Sequence, residues 1–300
     1  DWIIDQRGPG QAYDLMSGEA VTRKHPVTGA EIPWEFTKIG HHCNYAIASE
    51  HLLTFRAKNA GYHDLNTGGT MSLPGFRSGC RNSLIPANGI LNAPNFANGC
   101  ICSFSIYTSL AMVHMPEAEK WTYSTFGKHS GPVRKVGVNF NAPGDRMAND
   151  GTLWVDYPPS SAPSPQVKLA VQPSKPSGYR VHSSQVRANN GEHAWVAASG
   201  VSGVSSIKLT VGKPEGPPVR YTVKLHFAEP EQHQPGNRVF DVLLQGKVVA
   251  KALDLAKESA GRLNPLVKSI EGIEATDSIL IELKPVKGET IISGIEVVAE

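Results

Sequence analysis

The sequence predicts an all-β chain in two parts, partial β-propeller-like repeats followed by a β-sandwich. Three observations lead there. Glycine (29) and proline (22) are abundant beside many Val, Thr and Ser, the composition of a turn-rich β protein. In Tyr221, Val223, Leu225 and Phe227 the apolar residues fall at every second position, with Thr222, Lys224 and His226 between them, the period of a half-buried strand. A D-L-x-[ST]-G element occurs at Asp14-Leu15-Met16-Ser17-Gly18 and returns at Asp64-Leu65-Asn66-Thr67-Gly68. Repeat periods of about 40 to 50 residues mean propeller blades or solenoids.

Length and charge bound the function. The 300 residues suggest two domains, and 40% hydrophobic content suffices for real cores. A net charge of +2 with scattered basic residues, the longest runs being the pairs Arg23-Lys24 and Arg134-Lys135, argues against nucleic acid, which needs a clustered basic face. No apolar run approaches the roughly 20 residues that span a bilayer. The chain opens at Asp1 with neither methionine nor signal peptide, so the expectation is that processing or a boundary removed what came before.

Residues 1–126 hold the repeats. In each D-L-x-[ST]-G copy the Asp is expected to enter a tight turn in which Ser or Thr closes side-chain bonds and Gly supplies φ > 0. Asp14 and Asp64 are therefore turn formers rather than catalytic groups. Between the copies, Tyr45–Arg56 reads as two short strands around a Ser-Glu-His turn; Asn88–Pro94 and Ser105–Val113 give further strands. All four cysteines, Cys43, Cys80, Cys100 and Cys102, lie in this part. An even number in a Gly/Pro-rich chain fits two disulfides in an oxidising compartment. The alternatives are free thiols, or a metal site made by His41, His42, Cys43 and the Cys100-Ile101-Cys102 pair, whose spacing matches zinc sites poorly.

Met115–Val133 loses the alternation, and 127–133 reads as the linker. A second domain then runs from 134 to 300. Val136, Val138 and Phe140 alternate as a strand, Asn141–Gly151 is a polar turn region, and Leu153-Trp154-Val155 resumes. Pro158–Pro176 is dense in Pro and Ser and reads as an exposed, polyproline-like insertion. Tyr179–Ser183, Trp195–Ser199 and Ile207–Val211 follow as short strands. After the Tyr221 strand, Glu229–Gly236, with Pro230, Pro235 and Gly236, is a loop. Val239–Leu244 and Val248–Ala250 flank a Gln245-Gly246-Lys247 turn. Ala256–Gly261 reads as a helical turn, and Leu266–Ile270, Ile279–Leu283 and Ile291–Val298 complete the sheets.

Two family resemblances rest on these residues. The LHFAE strand, its loop, the RVFDV strand and its Gly turn, with D-G-T-L-W-V-D at 150–156 and the closing SGIEVVAE, resemble the malectin-like carbohydrate-binding family over residues 134–300. The D-L-x-[ST]-G repeats resemble the terminal blades of a pyrroloquinoline-quinone-type β-propeller. The first resemblance implies a sandwich of jelly-roll type that holds sugar between aromatic rings stacked on pyranose faces and acids that accept hydroxyls. The candidates that remain for such a site are Trp154, Asp156, Tyr157, Tyr179, Glu231, His233 and Glu289. The sequence departs from the family after the LHFAE strand, where Pro230-Glu231-Gln232-His233 stands in place of aromatics, and at Lys287-Gly288-Glu289, where an Asp-bearing loop is expected. The second resemblance implies further blades upstream of Asp1 or on another chain, because about four or more blades are needed for closure.

The plainer readings stand beside these. Trp154, between Leu153 and Val155, fits the core as well as a ligand platform. Glu229 and Asp241 are expected to bond loop backbone, and His226 to face solvent. No nucleophile elbow, H-E-x-x-H, P-loop or dinucleotide fingerprint occurs, so no catalytic residue or metal ligand is assigned. No cofactor is expected, with a structural metal or a quinone on the propeller axis left open. The leading expectation is a non-catalytic module, secreted, periplasmic or at the cell surface, that binds glycan or cell-surface polysaccharide. The alternatives are the C-terminal part of a larger polysaccharide-active or quinone-dependent enzyme, and a structural cell-surface or assembly protein.

Overall fold

The computed structural model describes residues 1–300 except 7–9, 39, 41–42, 82, 96–98, 100, 114, 116–117, 128–130, 161–163, 166, 188–192 and 260. Strands hold 48% of the residues and helices 4%, so the chain is all-β, and no sheet of the described residues closes into a barrel. No helix is long and apolar enough to cross a membrane among the described residues. The fold divides into two compact units, one of residues 1–25, 31–127 and 161–165, the other of 26–30, 128–160 and 166–300.

In the first unit the strands Ile47–Ala48, Leu52–Ala57, Asn59–Asp64 and Gly69–Leu73 lie side by side in chain order. Each pairs antiparallel with the next. The fifth strand of this sheet, Tyr123–Ser124, pairs with Gly69–Leu73, inside a stretch whose sequence shows no alternation. Two residues are too few to display a period. Likewise only Leu110–Val113 of the expected Ser105–Val113 strand is extended. Alternation puts Leu53, Phe55 and Ala57 into a buried cluster with Ala12, Trp34 and Phe36.

The repeated turns close as their chemistry requires. Asp64 Oδ1 accepts the N–H groups of Asn66 and Thr67 at 2.9 and 3.2 Å, and Asp14 Oδ1 accepts those of Met16 and Ser17, both at 2.9 Å. Gly68 and Gly18 follow with φ of 71° and 73°, the left-handed region where a Cβ is disfavoured. The cysteines differ from expectation: no pair among the described residues stands at disulfide distance. The Arg56 guanidinium takes the thiols of both Cys43 and Cys102 as partners, with Nη1 at 3.2 Å from Cys43 Sγ. Cys100, His41 and His42 lie outside the described residues.

The second unit is a sandwich. Its six-stranded sheet runs in the order Arg146–Met147, Leu153–Tyr157, Lys135–Phe140, Gly294–Ala299, Val219–Phe227, Leu266–Ala275. A five-stranded sheet runs in the order Leu169–Gln172, Ser206–Thr210, Ser278–Lys287, Val239–Leu244, Lys247–Asp254. The residues 158–176, expected as an exposed insertion, therefore contribute an edge strand, and Val171 is buried. Val136, Val138, Val223, Leu225, Ile295 and Val297 share one face of the larger sheet, and Ile207, Leu209, Phe240, Val242, Ile279 and Ile281 are among the buried residues of the smaller one. Burial of a Val, Leu, Ile or Phe side chain is worth about 1.5–3 kcal/mol, which makes these rows the main source of the sandwich's stability. The turn between Val239–Leu244 and Lys247–Asp254 is Gln245-Gly246, both at positive φ, as a two-residue hairpin prefers. Leu255–Glu258 is the expected helical turn, capped by Asp254 Oδ1 accepting from Lys257 N at 3.3 Å.

The outer face of the six-stranded sheet is covered around Trp154 and His226. Trp195–Ser199, expected as a strand, instead belongs to the 3₁₀ turn Ala194–Ala198 with Ser199 opening the next strand. The Val196 side chain of this turn is buried with Trp154 and Ala148. His226, expected to face solvent, is consequently 5% exposed. Burial pulls its imidazole down to about 3, helped by the nearby His193 and Lys224. Alternation had named its face correctly but could not show that the face is roofed.

Candidate functional site

Strand direction gathers the site at one end of the six-stranded sheet. Lys135–Phe140 and Leu153–Tyr157 run parallel, and both Lys135–Phe140 and Val219–Phe227 are antiparallel to Gly294–Ala299. Three strands therefore deliver their C-terminal ends together. They bring Asn141, Tyr157 and the Glu229–Arg238 loop beside Ser293, where the last strand begins.

Asn141 ties this end together. Its N–H donates to Tyr157 O at 2.6 Å and its Nδ2 donates to Tyr179 O at 2.9 Å. Arg180 Nε in turn donates to Asn141 O at 2.6 Å. Asn141 adopts φ 58°, a conformation Asn tolerates because its short polar side chain bonds locally. The Tyr179 hydroxyl shares a 2.8 Å hydrogen bond with Ser293 Oγ and donates to Ala197 O at 3.1 Å. Burial pushes the Tyr179 hydroxyl well above its usual value, and it feels both charges of the adjacent Glu229–Arg238 pair.

That pair organises the loop. Glu229 is 1% exposed; its Oε2 accepts from Arg238 Nε at 2.8 Å and its Oε1 from Glu231 N at 3.1 Å. Arg238 Nη1 donates to Glu289 O at 3.0 Å, which joins the 287–289 turn to the same anchor. His233 stands between two acids, with Nδ1 at 3.2 Å from Glu229 Oε2 and Nε2 at 2.8 Å from Glu231 Oε2. Glu229, Glu231 and His233 offer three donor atoms within 4.8 Å of one another, but the guanidinium already occupies Glu229 Oε2, so a cation is present without a metal. Buried charge is tolerated only when paired and hydrogen-bonded, and here both conditions hold.

The sequence-derived residues divide accordingly. Tyr179, Glu231, His233 and Glu289 come together around Arg238, and Tyr157 joins them through Asn141. Tyr157 is half-buried with its ring edge-on to Phe140 at 5.9 Å; Glu231 and Glu289 are exposed. Asp156 is 5% exposed, and its Oδ2 accepts from Ser160 N at 2.8 Å, so it secures a loop. Trp154 is fully buried among His193, Trp195 and His226 at 5.4, 5.6 and 5.1 Å. No face of its ring is open to a sugar, which corrects the platform reading in favour of core. Glu229 does bond loop backbone, accepting from Glu231 N, whereas Asp241 accepts from Ala252 N at 2.7 Å inside the neighbouring strand Lys247–Asp254. Arg238 and Asn141 were missed; a lone Arg at the end of an acidic loop was the available signal for the first.

Residues 218–298 match the malectin domain family. This span contains the LHFAE strand, the Glu229–Arg238 loop and the 287–289 turn. No curated protein sequence matches the chain. Among solved structures, the ANX2 ectodomain from Arabidopsis thaliana is similar at 12% identity and TM-score 0.42, over 55% of this chain and 49% of that one. The plant receptor-like kinase FER is similar at 15% identity and TM-score 0.40, over 56% and 42%. Bacteroides uniformis beta-glucuronidase 2, covalently bound to cyclophellitol-6-carboxylate aziridine, is similar at 12% identity and TM-score 0.44, over 100% of this chain and 27% of that one. The chain thus spans about half or less of the length of these solved chains.

Proposed function

We propose that the sandwich is a non-catalytic carbohydrate-recognition module, working outside the cytoplasm, and that it takes a glycan at the sheet end built by Tyr157, Tyr179, Glu231, His233 and Glu289. The observation that carries this reading is the anchoring of the 229–238 loop and the 287–289 turn to one buried guanidinium, within a span matching the malectin domain. Carboxylates and an imidazole at the rim suit sugar hydroxyls, which donate and accept at once. The partly exposed Tyr157 ring supplies an apolar surface for C–H groups. The four-strand antiparallel meander with its Asp64 turn, and the chemically equivalent Asp14 turn in another sheet of the same unit, support reading the first unit as propeller-type blades of the pyrroloquinoline-quinone kind that act as an interaction scaffold.

The test is a glycan array probed with the full chain beside a Glu231→Gln/His233→Ala double variant. Selective binding that falls at least tenfold in the variant is the expected result. Binding that ignores both substitutions, or silence on the array, overturns the proposal.

A further inference from the structure

A second polar cluster lies on the outer face of the six-stranded sheet, away from the end just described. Cross-strand register places Trp154, Gly137, Glu296 and Lys224 in one row. Asp150 and Thr152, from the turn before the Leu153–Tyr157 strand, and His193, which precedes the 3₁₀ turn, close over Glu296. Asp150, His193 and Glu296 present one donor atom each, all within 4.8 Å of one another. Thr152 Oγ1 stands 2.8 Å from Asp150 Oδ2 and 3.3 Å from Glu296 Oε1, and so fixes the spacing of the two carboxylates.

The unsatisfied atoms point to a ligand. The His193 side chain is 7% exposed and that of Glu296 is 1% exposed, and neither His193 Nε2 nor Glu296 Oε2 has a hydrogen-bond partner. His193 Nε2 lies 3.7 Å from Asp150 Oδ2, too far for a hydrogen bond. Two ligands of a tetrahedral ion, each about 2.0–2.2 Å from the metal, stand about 3.4 Å apart. The observed separation is close to that edge. Lys135 Nζ and Lys224 Nζ each stand 3.1 Å from one of the carboxylates. The Lys224 contact lacks hydrogen-bond alignment, and both lysine side chains are about a third exposed (28% and 31%). Their long stems let the ammonium heads withdraw to water, so they neutralise the acids without owning the position between them.

We propose that Asp150, His193 and Glu296 form a binding site for a first-row divalent cation of the Zn²⁺ type, which ties His193, at the start of the 3₁₀ turn, to the outer face of the sheet. One imidazole nitrogen and two carboxylate oxygens make a borderline donor set that suits Zn²⁺ or Co²⁺ better than Ca²⁺ or Mg²⁺, which prefer oxygen alone. Water completes the fourth position. The reading of the sandwich as a sugar binder is not needed for this site.

The experiment titrates Co²⁺ into the untagged full chain and follows its visible absorption, with Zn²⁺ competition and metal content by mass spectrometry. His193→Asn and Glu296→Gln are measured in parallel; Asn accepts the left-handed backbone of His193, at φ 64°, so one variant keeps its fold even where the other loses it. One Co²⁺ per chain, displaced by Zn²⁺, without a thiolate-to-cobalt charge-transfer band and weakened at least tenfold by either substitution, is expected. No saturable binding overturns the site. Binding that carries the thiolate band and survives both substitutions places the metal on the cysteines and overturns it equally.

Discussion

Arg238 is where a single substitution should be most informative. Its side chain is 5% exposed and donates to Glu229 Oε2 at 2.8 Å, while Glu229 is itself 1% exposed. Arg238→Met keeps the volume and removes the charge. The carboxylate then retains only Glu231 N at 3.1 Å and the His233 ring at 3.2 Å. Leaving one partner of a buried pair uncompensated costs about 3–5 kcal/mol, and the stranded Glu289 carbonyl adds about 1 kcal/mol. Glu229→Leu should cost a comparable amount by stranding the guanidinium. The double variant removes both charges and should lie within about 1 kcal/mol of the parent, or above it, because an apolar pair repays the missing desolvation. Urea unfolding followed by tryptophan fluorescence, on the transition that reports Trp154 and Trp195, gives the three differences. Single losses under about 1 kcal/mol, or losses that simply add in the double variant, would refute the claim that this pair holds the site loops.

Two further predictions follow from packing and from titration. A Cβ on Gly137 would stand 2.1 Å from Trp154 Cδ2, so Gly137→Ala should cost about 1–3 kcal/mol or more by overpacking, and an unchanged melting temperature would show that the ring is free to move. In the first unit, burial, with a smaller push from Arg23, lowers His63 to about 3, and only its Nδ1 has a partner, Thr70 Oγ1 at 3.0 Å. Because the folded value lies below the unfolded 6.5, the unfolded chain binds the extra proton. Stability is then full above pH 6.5 and declines as pH falls toward 3, by about 2 kcal/mol at pH 5. His63→Leu should flatten that decline in denaturant melts taken from pH 7 to pH 5, and an identical slope in both proteins would assign the acid sensitivity elsewhere.

Local chemistry was legible in the sequence wherever a residue acts on its own neighbourhood. Asp14 and Asp64 bond the N–H groups two and three positions on, so their turns could be read from five letters. Alternation assigned Val223, Leu225 and Phe227 to one face because a strand has period two whatever surrounds it. What could not be read is what lies above a face. His226, Trp154 and Glu296 share the side that alternation marks as non-core, yet the 3₁₀ turn from Ala194 covers it, and no property of the Val219–Phe227 strand encodes that cover. Small size at Gly137 and Gly294 was the available hint, since a Cβ at either would collide with Trp154 or Val196. Two glycines facing one tryptophan imply that something bulky is packed flat on the sheet there.

The same reasoning separates the two ends of the sandwich. At the Glu229 end the charges are paired within a single loop, nine residues apart, and a sequence can suggest such a pair. Around Glu296 the partners come from residues 150, 193 and 296, on three elements joined only by the fold. Fixed carboxylates bridged by one threonine hydroxyl repel unless a cation lies between or beside them, and the chain supplies two lysines beside them but leaves His193 Nε2 and Glu296 Oε2 without an aligned hydrogen bond. Ring packing against Trp154 accounts for the burial of the His193 imidazole, but neither it nor charge balance accounts for leaving Nε2 unbonded beside Asp150, because an unpaired buried nitrogen costs about 1–3 kcal/mol. That cost is what a bound cation would recover.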